Sequence, residues 1–314
     1  MLMIALCNSA AFTHPPVAGR PWKRHLWAQA IAPFYLKGGI MIPYVLTLLL
    51  AFTTTAQQTP EYRIQAIRYG TISQYPVAGL VVGAPEDERL DIALVFWVIR
   101  GGDRNILFDC GFYRESWMEH FDITDYIRPD EAVRLAGLDA ADVTDIIISH
   151  AHWDHIGGID LFPNATIWIQ KAEFEYYVGP AWQEGGRHGG IDPEDMVTLV
   201  RCNTEGKLRL IDGDDVEVLP GIRAYTGGRH TFASQYILVE TDPPYVLASD
   251  NCYLYRNLET RSPIPTFEPA DAPSNIAALE RMISLAGAPE RVIPGHDPLL
   301  FERFPGNDRI AAIK

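Results

Sequence analysis

Residues 149–158, with the sequence SHAHWDHIGG, bring three histidines and one aspartate together within six positions. They follow residues 145–148, a β-branched apolar run that predicts a buried strand. If the chain stays extended beyond that run, His150 and His152 point to the same side, because the side chains of a strand alternate between its two faces. The stretch therefore places two imidazoles next to each other at the end of a strand.

Two more candidate ligands, Asp154 and His155, lie past the predicted strand end, where Gly157 and Gly158 let the backbone bend closely. Neutral imidazole and carboxylate groups suit zinc, iron or manganese, and one centre takes about three or four protein ligands. The spacing of these ligands predicts two metal centres rather than one. The alternative, solvated loop histidines or satisfied core groups, does not explain why so many ligand types meet at one strand end.

Three further residues able to bind metal occupy similar positions later in the chain. His230 and His296 each follow a predicted strand and a glycine-containing turn, and Asp250 comes directly after a predicted strand. In an α/β sandwich, such strand ends can build one site along the edge of the sheets, so we expect these residues to complete it. His120 and His188 lack that setting and are interpreted as ordinary surface or loop residues.

Composition indicates an acidic, globular protein. Hydrophobic residues make up 47% and charged residues 21% of the chain, and the formal net charge is −14. Residues 1–56 contain basic residues and no acidic ones, so the rest of the chain carries −18. An acidic body repels phosphate backbones, which argues against a nuclease or another nucleic-acid-binding role.

The N-terminal part of the chain resembles a targeting segment. Residues 40–52 are largely apolar, Lys37 precedes them, and the small residues 54–56 follow. The apolar run falls short of the roughly 20 residues that span a bilayer, and its charged flank suits a secretory signal. We therefore expect residues 1–56 to be an N-terminal extension and signal peptide, with Met41 a candidate start, cleavage near Ala56, and a periplasmic or secreted protein without a stable membrane anchor. The alternative is a buried N-terminal helix.

The remaining residues, 57–314, predict one α/β domain. Strands are expected at residues 62–72, 91–100, 105–108, 145–148, 165–170, 216–226, 235–241, 245–249 and 291–293, and helices at 130–136, 140–143, 171–178 and 274–286. Residues 179–192 predict a long loop. Two interpretations are open for four aromatic residues: they line an apolar pocket, or they pack in the core. These residues are Phe174, Tyr176, Tyr177 and Trp182. The four cysteines, Cys7, Cys110, Cys202 and Cys252, show no metal-binding spacing. One disulfide among the last three is possible, and buried free thiols are the expected state.

The order and spacing of the candidate ligands resemble the HxHxDH…H…D…H signature of the metallo-β-lactamase superfamily, and within it the N-acyl homoserine lactonases. The resemblance covers residues 62–304 and implies an αββα four-layer metallo-β-lactamase sandwich, of the α/β class, with two Zn²⁺ ions. It implies that one ion is held by His150, His152 and His230, the other by Asp154, His155 and His296, with Asp250 between them. Asp109 matches a buried aspartate that orients the ligands.

The resemblance also implies a reaction. Tyr253 stands three residues after Asp250, where the lactonases carry a catalytic tyrosine; packing is the other interpretation. In such enzymes a hydroxide bridging the two metals attacks the lactone carbonyl, which Tyr253 would polarise, and Asp154 would pass a proton to the leaving alkoxide. The implied activity is quorum quenching by a hydrolase that takes a small-molecule lactone. Whether the protein forms a homodimer is left open. Arg229 departs from the family pattern, which leaves substrate preference open.

Several other functions share these residues. A class B β-lactamase would fit a signal peptide but not Asp250, whereas a glyoxalase II-like thioesterase has the same ligands and lacks the tyrosine. A mononuclear iron dioxygenase acting on persulfides would use fewer of the ligands, and a non-catalytic metal-binding protein stays open. The chain contains no G-x-S-x-G, G-x-G-x-x-G or P-loop motif, which argues against serine hydrolase and nucleotide-binding chemistry.

Overall fold

Two β-sheets packed face to face form the centre of the part of the chain that the structure describes. The computed structural model describes residues 60–314. The predicted signal peptide, its apolar run at residues 40–52, the cleavage near Ala56 and the boundary after residue 56 lie outside these described residues.

Short strands dominate the described part of the chain, and most helices come between them or after them. The strands are β1 (Arg63–Pro76), β2 (Arg89–Gly101), β3 (Arg104–Phe108), β4 (Ile123–Thr124), β5 (Asp145–Ile147), β6 (Thr166–Gln170), β7 (Leu208–Ile211), β8 (Val216–Leu219), β9 (Ile222–Thr226), β10 (Gln235–Val239), β11 (Tyr245–Ser249), β12 (Val292–Pro294) and β13 (Ile310–Ala312). The helices are α1 (Glu115–Phe121), α2 (Pro129–Ala132), α3 (Trp153–Ile156), α4 (Lys171–Tyr177), α5 (Pro193–Thr204), α6 (Tyr255–Thr260), α7 (Ala272–Ala286) and α8 (Leu300–Arg303).

The first sheet has the order β13-β1-β2-β3-β5-β6-β7, with β4 paired to β1. Its first half is antiparallel, whereas β3, β5, β6 and β7 run parallel to one another. The second sheet has the order β12-β11-β10-β9-β8. In that sheet β9 and β11 are both antiparallel to β10, and β12 is parallel to β11. Consequently β9, β11 and β12 all point in the same direction.

The core between the sheets is built from large apolar side chains of both inner faces. Trp97, Phe108 and Ile147 of the first sheet belong to the same buried cluster as Ile237 and Leu247 of the second. Burial on both faces explains why β2 reads as a continuous apolar run rather than an alternating one.

Helices cover the outer face of each sheet. On the first sheet, Met196 and Leu199 of α5 share a buried cluster with Ile146 and Ile167. On the second sheet, α7 packs its apolar face, which includes Leu279, against the strands. The helix-sheet-sheet-helix layering expected from the sequence is therefore confirmed.

The topology brings the ligand-bearing segments to one edge. The carboxyl ends of the parallel strands β3 and β5 lead into Asp109 and His150. The carboxyl ends of β9, β11 and β12 lead into His230, Asp250 and His296. A hydrogen bond of 2.9 Å from the backbone N–H of Gln235 to the carbonyl of Ser149 ties these edges together. Residues far apart in sequence thus follow strands that end side by side.

Two features differ from the sequence-based expectations. The single strand predicted at residues 216–226 is wrong, because β8 and β9 form an antiparallel hairpin. Pro220 and Gly221, the latter at φ +74°, reverse the chain between them. The strand before the histidines ends at Ile147, so His150 and His152 lie on an irregular segment rather than on an extended strand. The sequence pattern also left several elements unassigned, among them α1, α5, α6, α8, β4, β7 and β13.

Cys110 and Cys252 are buried free thiols, as expected, and Cys202 is a partly exposed one. Among residues 60–314, none of the helices combines the length and the apolar character needed to cross a membrane.

Candidate metal centre

The structure brings the seven predicted ligands together in two adjoining groups. One group contains His150, His152, His230 and Asp250, and the other contains Asp154, His155 and His296. Within each group the potential ligand atoms lie within 4.8 Å of one another. The segment after β5 contributes to both groups, while the second sheet supplies the remaining members.

The first group has three imidazole nitrogens at close range. His150 Nε2 is 3.0 Å from His152 Nδ1, and that atom is 2.9 Å from His230 Nε2. Gly190, at φ +74°, lies against the other side of the His152 ring, and a Cβ there would come within 2.9 Å of it. Only glycine leaves the ring of His152 in this position, so the 179–192 loop helps to orient a ligand.

Asp250 lies between the two groups. Its Oδ2 is 3.3 Å from His230 Nε2 and 3.6 Å from His150 Nε2. Its Oδ1 is 2.9 Å from His296 Nε2 and 3.2 Å from His155 Nε2. One oxygen therefore faces each group, which is the arrangement that a bridging carboxylate requires.

Hydrogen bonds orient three of the histidine rings so that Nε2 points into the site. His155 Nδ1 lies 2.8 Å from Asp109 Oδ2, and His296 Nδ1 lies 2.8 Å from the carbonyl oxygen of Ala93. The hydroxyl of Ser149 donates to Asp109 at 2.8 Å and lies 2.8 Å from His150 Nδ1. Since these neighbours are acceptors towards the rings, each Nδ1 carries a proton and Nε2 is the nitrogen that faces the site.

Asp109 is buried, and its backbone has φ +61°. Its carboxylate also accepts hydrogen bonds from the backbone N–H of Ser149 at 2.7 Å and from the hydroxyl of Ser249 at 2.8 Å. Asp109 thus contacts one ligand directly and fixes residues beside two others, on both sheets. Such contacts set the orientation of a metal ligand without adding a ligand.

The ionisation of the site favours a cation. Burial lowers the pKa of His150 well below its ordinary value and that of His152 to about 3, with the neighbouring histidines adding to the effect. Burial also acts to lower the pKa of His296, but the charges of Asp250 and Asp154 outweigh it and raise that pKa. The neutral rings of His150 and His152 can offer lone pairs to a cation, and the carboxylates of Asp154 and Asp250 attract positive charge.

Two buried polar atoms at the centre of the site indicate whether these residues fit a metal. Among the described residues, His155 Nε2 and Asp250 Oδ1 are buried without a hydrogen-bond partner. Buried polar atoms are rarely left in that state. A cation held among imidazole nitrogens and carboxylate oxygens satisfies both atoms, and this donor set suits zinc, iron or manganese. The residues therefore fit bound divalent metal.

A cavity of about 220 Å³ opens onto the ligands. Its walls include the metal-group residues His152, Asp154, Asp250 and His296, the aromatic residues Tyr75, Phe121, Trp153 and Tyr253, the aliphatic residues Ile72, Leu80 and Ile92, and the glycines Gly189 and Gly190. The hydroxyl of Tyr253 lies 3.4 Å from His230 Nε2. Burial and the charge of Asp250 raise the pKa of Tyr253 well above its ordinary value, so its hydroxyl keeps its proton.

Other residues singled out from the sequence lie elsewhere. Arg229 pairs with Asp271 at 3.1 Å and its guanidinium lies over the rings of Phe232 and Phe267, so it does not line the cavity. Of the aromatic residues with two interpretations, none lines this cavity, and Phe174 and Tyr177 are buried in the core. His188 lies 2.9 Å from the carbonyl of Ala181 through Nδ1 and belongs to neither metal group.

The cavity walls from β1, β2 and α1 were missed by sequence reasoning. Ile72 and Ile92 lie opposite each other on β1 and β2. Phe121 is the last residue of α1, and its ring stacks on that of Trp153 with 5.1 Å between the ring centroids. In the sequence these residues stand out only by being apolar, and the residues of the core are apolar too. The sequence therefore does not separate cavity walls from core. Glu173 was also missed, because helix α4 carries Lys171, Glu173 and Glu175 and nothing in the sequence marks which of them is buried.

Comparison with known proteins supports the same fold. The family model of the metallo-β-lactamase superfamily matches residues 95–296, a range that contains all seven ligand residues. The chain therefore belongs to the metallo-β-lactamase superfamily.

Two relatives are named for one activity. The chain is similar to the N-acyl homoserine lactonase AttM of Rhizobium johnstonii, with 28% identity over 178 residues, which are 55% of this chain and 65% of that protein. It is also similar to an N-acyl homoserine lactonase of a Bacillus species, with 30% identity over 211 residues, 62% of this chain and 78% of that protein. The match thus spans slightly less than two thirds of the first relative's length.

A solved structure extends the similarity to the fold. AidC, described as a dizinc quorum-quenching lactonase in complex with the product N-hexanoyl-L-homoserine, has 19% sequence identity and a TM-score of 0.56. The match covers 77% of this chain and 89% of that one. At this identity the likeness shows the fold alone.

Replacing Asp250 with alanine removes the carboxylate between the two groups. We expect the bound metal to fall from about two equivalents to less than one, because each group loses an oxygen ligand. Elemental analysis of protein purified without chelator measures this. The matched control is Asp145→Asn, a buried aspartate at the start of β5 that pairs with Arg104 at 2.7 Å and belongs to neither group. Full metal content in Asp250→Ala contradicts the bridging position.

Proposed function

We propose that this chain is a metal-dependent hydrolase that opens the lactone ring of N-acyl homoserine lactones. The observation that carries the proposal is the Tyr253 hydroxyl beside His230, on a tyrosine that lines the same cavity as four of the candidate ligands. The names of the two relatives support the same activity. Ring opening would inactivate such signal molecules, which is quorum quenching.

The ligands would hold two zinc ions. His150, His152 and His230 would bind one, Asp154, His155 and His296 the other, with one oxygen of Asp250 towards each. When bound, the ions would supply Lewis acidity to the lactone carbonyl and lower the pKa of a water molecule towards neutrality.

Tyr253 would donate a hydrogen bond to the lactone carbonyl oxygen. The donor must keep its proton at neutral pH, and the raised pKa of this buried phenol meets that condition. A donor aimed at an oxygen that gains negative charge stabilises the transition state more than the bound substrate. Tyr253 thus acts on the rate rather than on metal binding.

Asp154 would move the proton. Its carboxylate lines the cavity, with Oδ2 3.4 Å from His155 Nε2 and 3.8 Å from His296 Nε2. Burial acts to raise the pKa of Asp154, but the two imidazoles outweigh it and lower that pKa, so the group starts as an ionised acceptor. It is placed to take a proton from water and give it to the alkoxide oxygen that leaves when the ring opens.

The cavity walls suit an uncharged substrate. Tyr75, Leu80 and Ile92 offer apolar surface for an acyl chain, and none of the described residues that line the cavity is a lysine or an arginine. A β-lactam or a glutathione thioester carries carboxylates that need a cationic partner when they are buried. The lining therefore supports a neutral lactone over both alternatives.

A rate panel tests the substrate. The zinc-loaded protein is assayed with short- and long-chain homoserine lactones, a simple γ-lactone, nitrocefin and S-lactoylglutathione. We expect acid release from the homoserine lactones and little turnover of nitrocefin or the thioester. Faster turnover of either of those compounds overturns the substrate and leaves the metal site in place. One firmly bound iron per chain that zinc does not replace would favour the dioxygenase.

Tyr253→Phe removes a single hydroxyl from the site. We expect kcat/KM for homoserine lactones to fall about 10- to 1,000-fold with the metal content unchanged. Tyr255→Phe is the matched control, because this nearby buried tyrosine packs against Arg303 and does not line the cavity. Wild-type rates in Tyr253→Phe would show that the tyrosine is a packing residue and would weaken the lactonase proposal.

We also propose that the protein is exported. The proposal rests on the apolar residues 40–52 and the small residues 54–56, and it remains independent of the described structure. N-terminal sequencing of protein from a periplasmic extract is expected to begin near residue 57. An uncleaved N-terminus in a soluble cytoplasmic fraction contradicts it.

A further inference from the structure

Glu173 is a fully buried acidic residue near the start of α4. It belongs to neither metal group and does not line the cavity at the metal centre. Charged groups are rarely buried unless they are paired or well hydrogen-bonded, because removal from water is costly. The contacts of this carboxylate therefore indicate what keeps it inside the protein.

The carboxylate of Glu173 accepts three hydrogen bonds. Its Oε1 accepts from the backbone N–H of Ala151 at 3.0 Å and from the hydroxyl of Thr231 at 2.6 Å. Its Oε2 accepts from the backbone N–H of Ala233 at 2.6 Å. All three donors belong to segments that carry metal ligands.

These donors join the two segments that form the three-histidine group. Ala151 stands between His150 and His152, on the segment that follows β5 of the first sheet. Thr231 follows His230, on the segment that leaves β9 of the second sheet. Glu173 is thus a bridge between the two sheets directly behind the ligands of one metal.

We propose that Glu173 is a positioning residue that sets the distance between the His150–His152 segment and His230. The carboxylate holds both backbones, so the imidazole nitrogens reach their separations of 2.9 and 3.0 Å. The Asp154–His155–His296 group receives no contact from Glu173. Its influence is therefore specific to one of the two groups.

A carboxylate is required because three donors share two oxygens. A glutamine at this position has one oxygen and one NH₂ group, and NH₂ cannot accept from an N–H. At least one of the buried donors loses its partner, which costs more than the net contribution of a hydrogen bond. The segment that carries that donor shifts to find another partner, and its histidine moves with it.

Glu173→Gln is the test, and it rests on the metal site of the proposed function but not on the lactone substrate. Zinc affinity is measured by competition with a chromophoric chelator, and cobalt(II) absorption reports the coordination of each site. We expect one of the two equivalents to bind about 10-fold more weakly or worse, while the other keeps its affinity. In Glu173→Gln, the cobalt ion that keeps its affinity should have the same absorption spectrum as the cobalt ion that His230→Ala still binds. His230→Ala is the reference because it lacks a ligand of the affected group.

Two controls separate positioning from general destabilisation. Asp145→Asn removes a buried carboxylate that bonds Arg104, Thr144 and Trp168 away from the ligands, and both equivalents should bind as in the wild type. Thr231→Val removes one hydrogen bond to Glu173, and Thr231→Ser restores it. The valine variant should weaken the same equivalent by a smaller factor, and it keeps the test available if Glu173→Gln does not fold.

The contrary results are distinct. Wild-type affinity for both equivalents in Glu173→Gln and Thr231→Val overturns the positioning role. Equal weakening of both equivalents shows a general structural role and also overturns it. A wild-type protein that binds no zinc or cobalt overturns the metal site on which both proposals rest.

Discussion

Burying two carboxylates among five imidazoles at the edge of two sheets is the constraint on which this structure depends. Asp154 and Asp250 are almost completely removed from water, so their charges must be balanced within the protein. Asp250 meets the requirement by directing one oxygen to each group of histidines. The same arrangement leaves His155 Nε2 and Asp250 Oδ1 without hydrogen-bond partners among the described residues. A cation held between the two groups would satisfy both atoms and balance both carboxylates.

Buried acceptors outside the ligand set hold the groups in place. Asp109 collects hydrogen bonds from Ser149, Ser249 and His155, so it fixes one ligand and the strand ends beside two others. Glu173 makes the corresponding connection on the other side of the site, between the segment after β5 and the segment after β9. Both carboxylates link the first sheet to the second. The separation of the sheets at this edge therefore depends on hydrogen bonds, whereas in the interior it is set by apolar packing in the cluster that Trp97 and Phe108 of the first sheet share with Ile237 and Leu247 of the second.

The cavity beside the candidate ligands has walls of two kinds. Its metal side is polar, while its outer walls come from β1, β2 and the short helix α1. α1 is positioned by the stacking of Trp117 and Phe121 on Trp153, a residue inside the histidine motif itself, and by a hydrogen bond of 2.9 Å from Trp117 to Asp192. The segment after β5 thus also carries the support for one wall of this cavity. Changes in that wall would alter the shape of the cavity without altering the residues of the two metal groups.

The sequence by itself determined the ligand types, the layered α/β fold and most strands, because the spacing of residues 149–158 and the apolar runs are local patterns. It failed at residues 216–226, where Pro220 and Gly221 turn one apparent strand into a hairpin. Only the tertiary structure decided that Asp250 lies between the two groups and that Glu173 joins Ala151 to Thr231. These contacts connect residues that lie from 22 positions apart, for Ala151 and Glu173, to 100 positions apart, for His150 and Asp250. No local periodicity records them. They arise because parallel strand ends meet at one edge, and that meeting is a property of the sheet order.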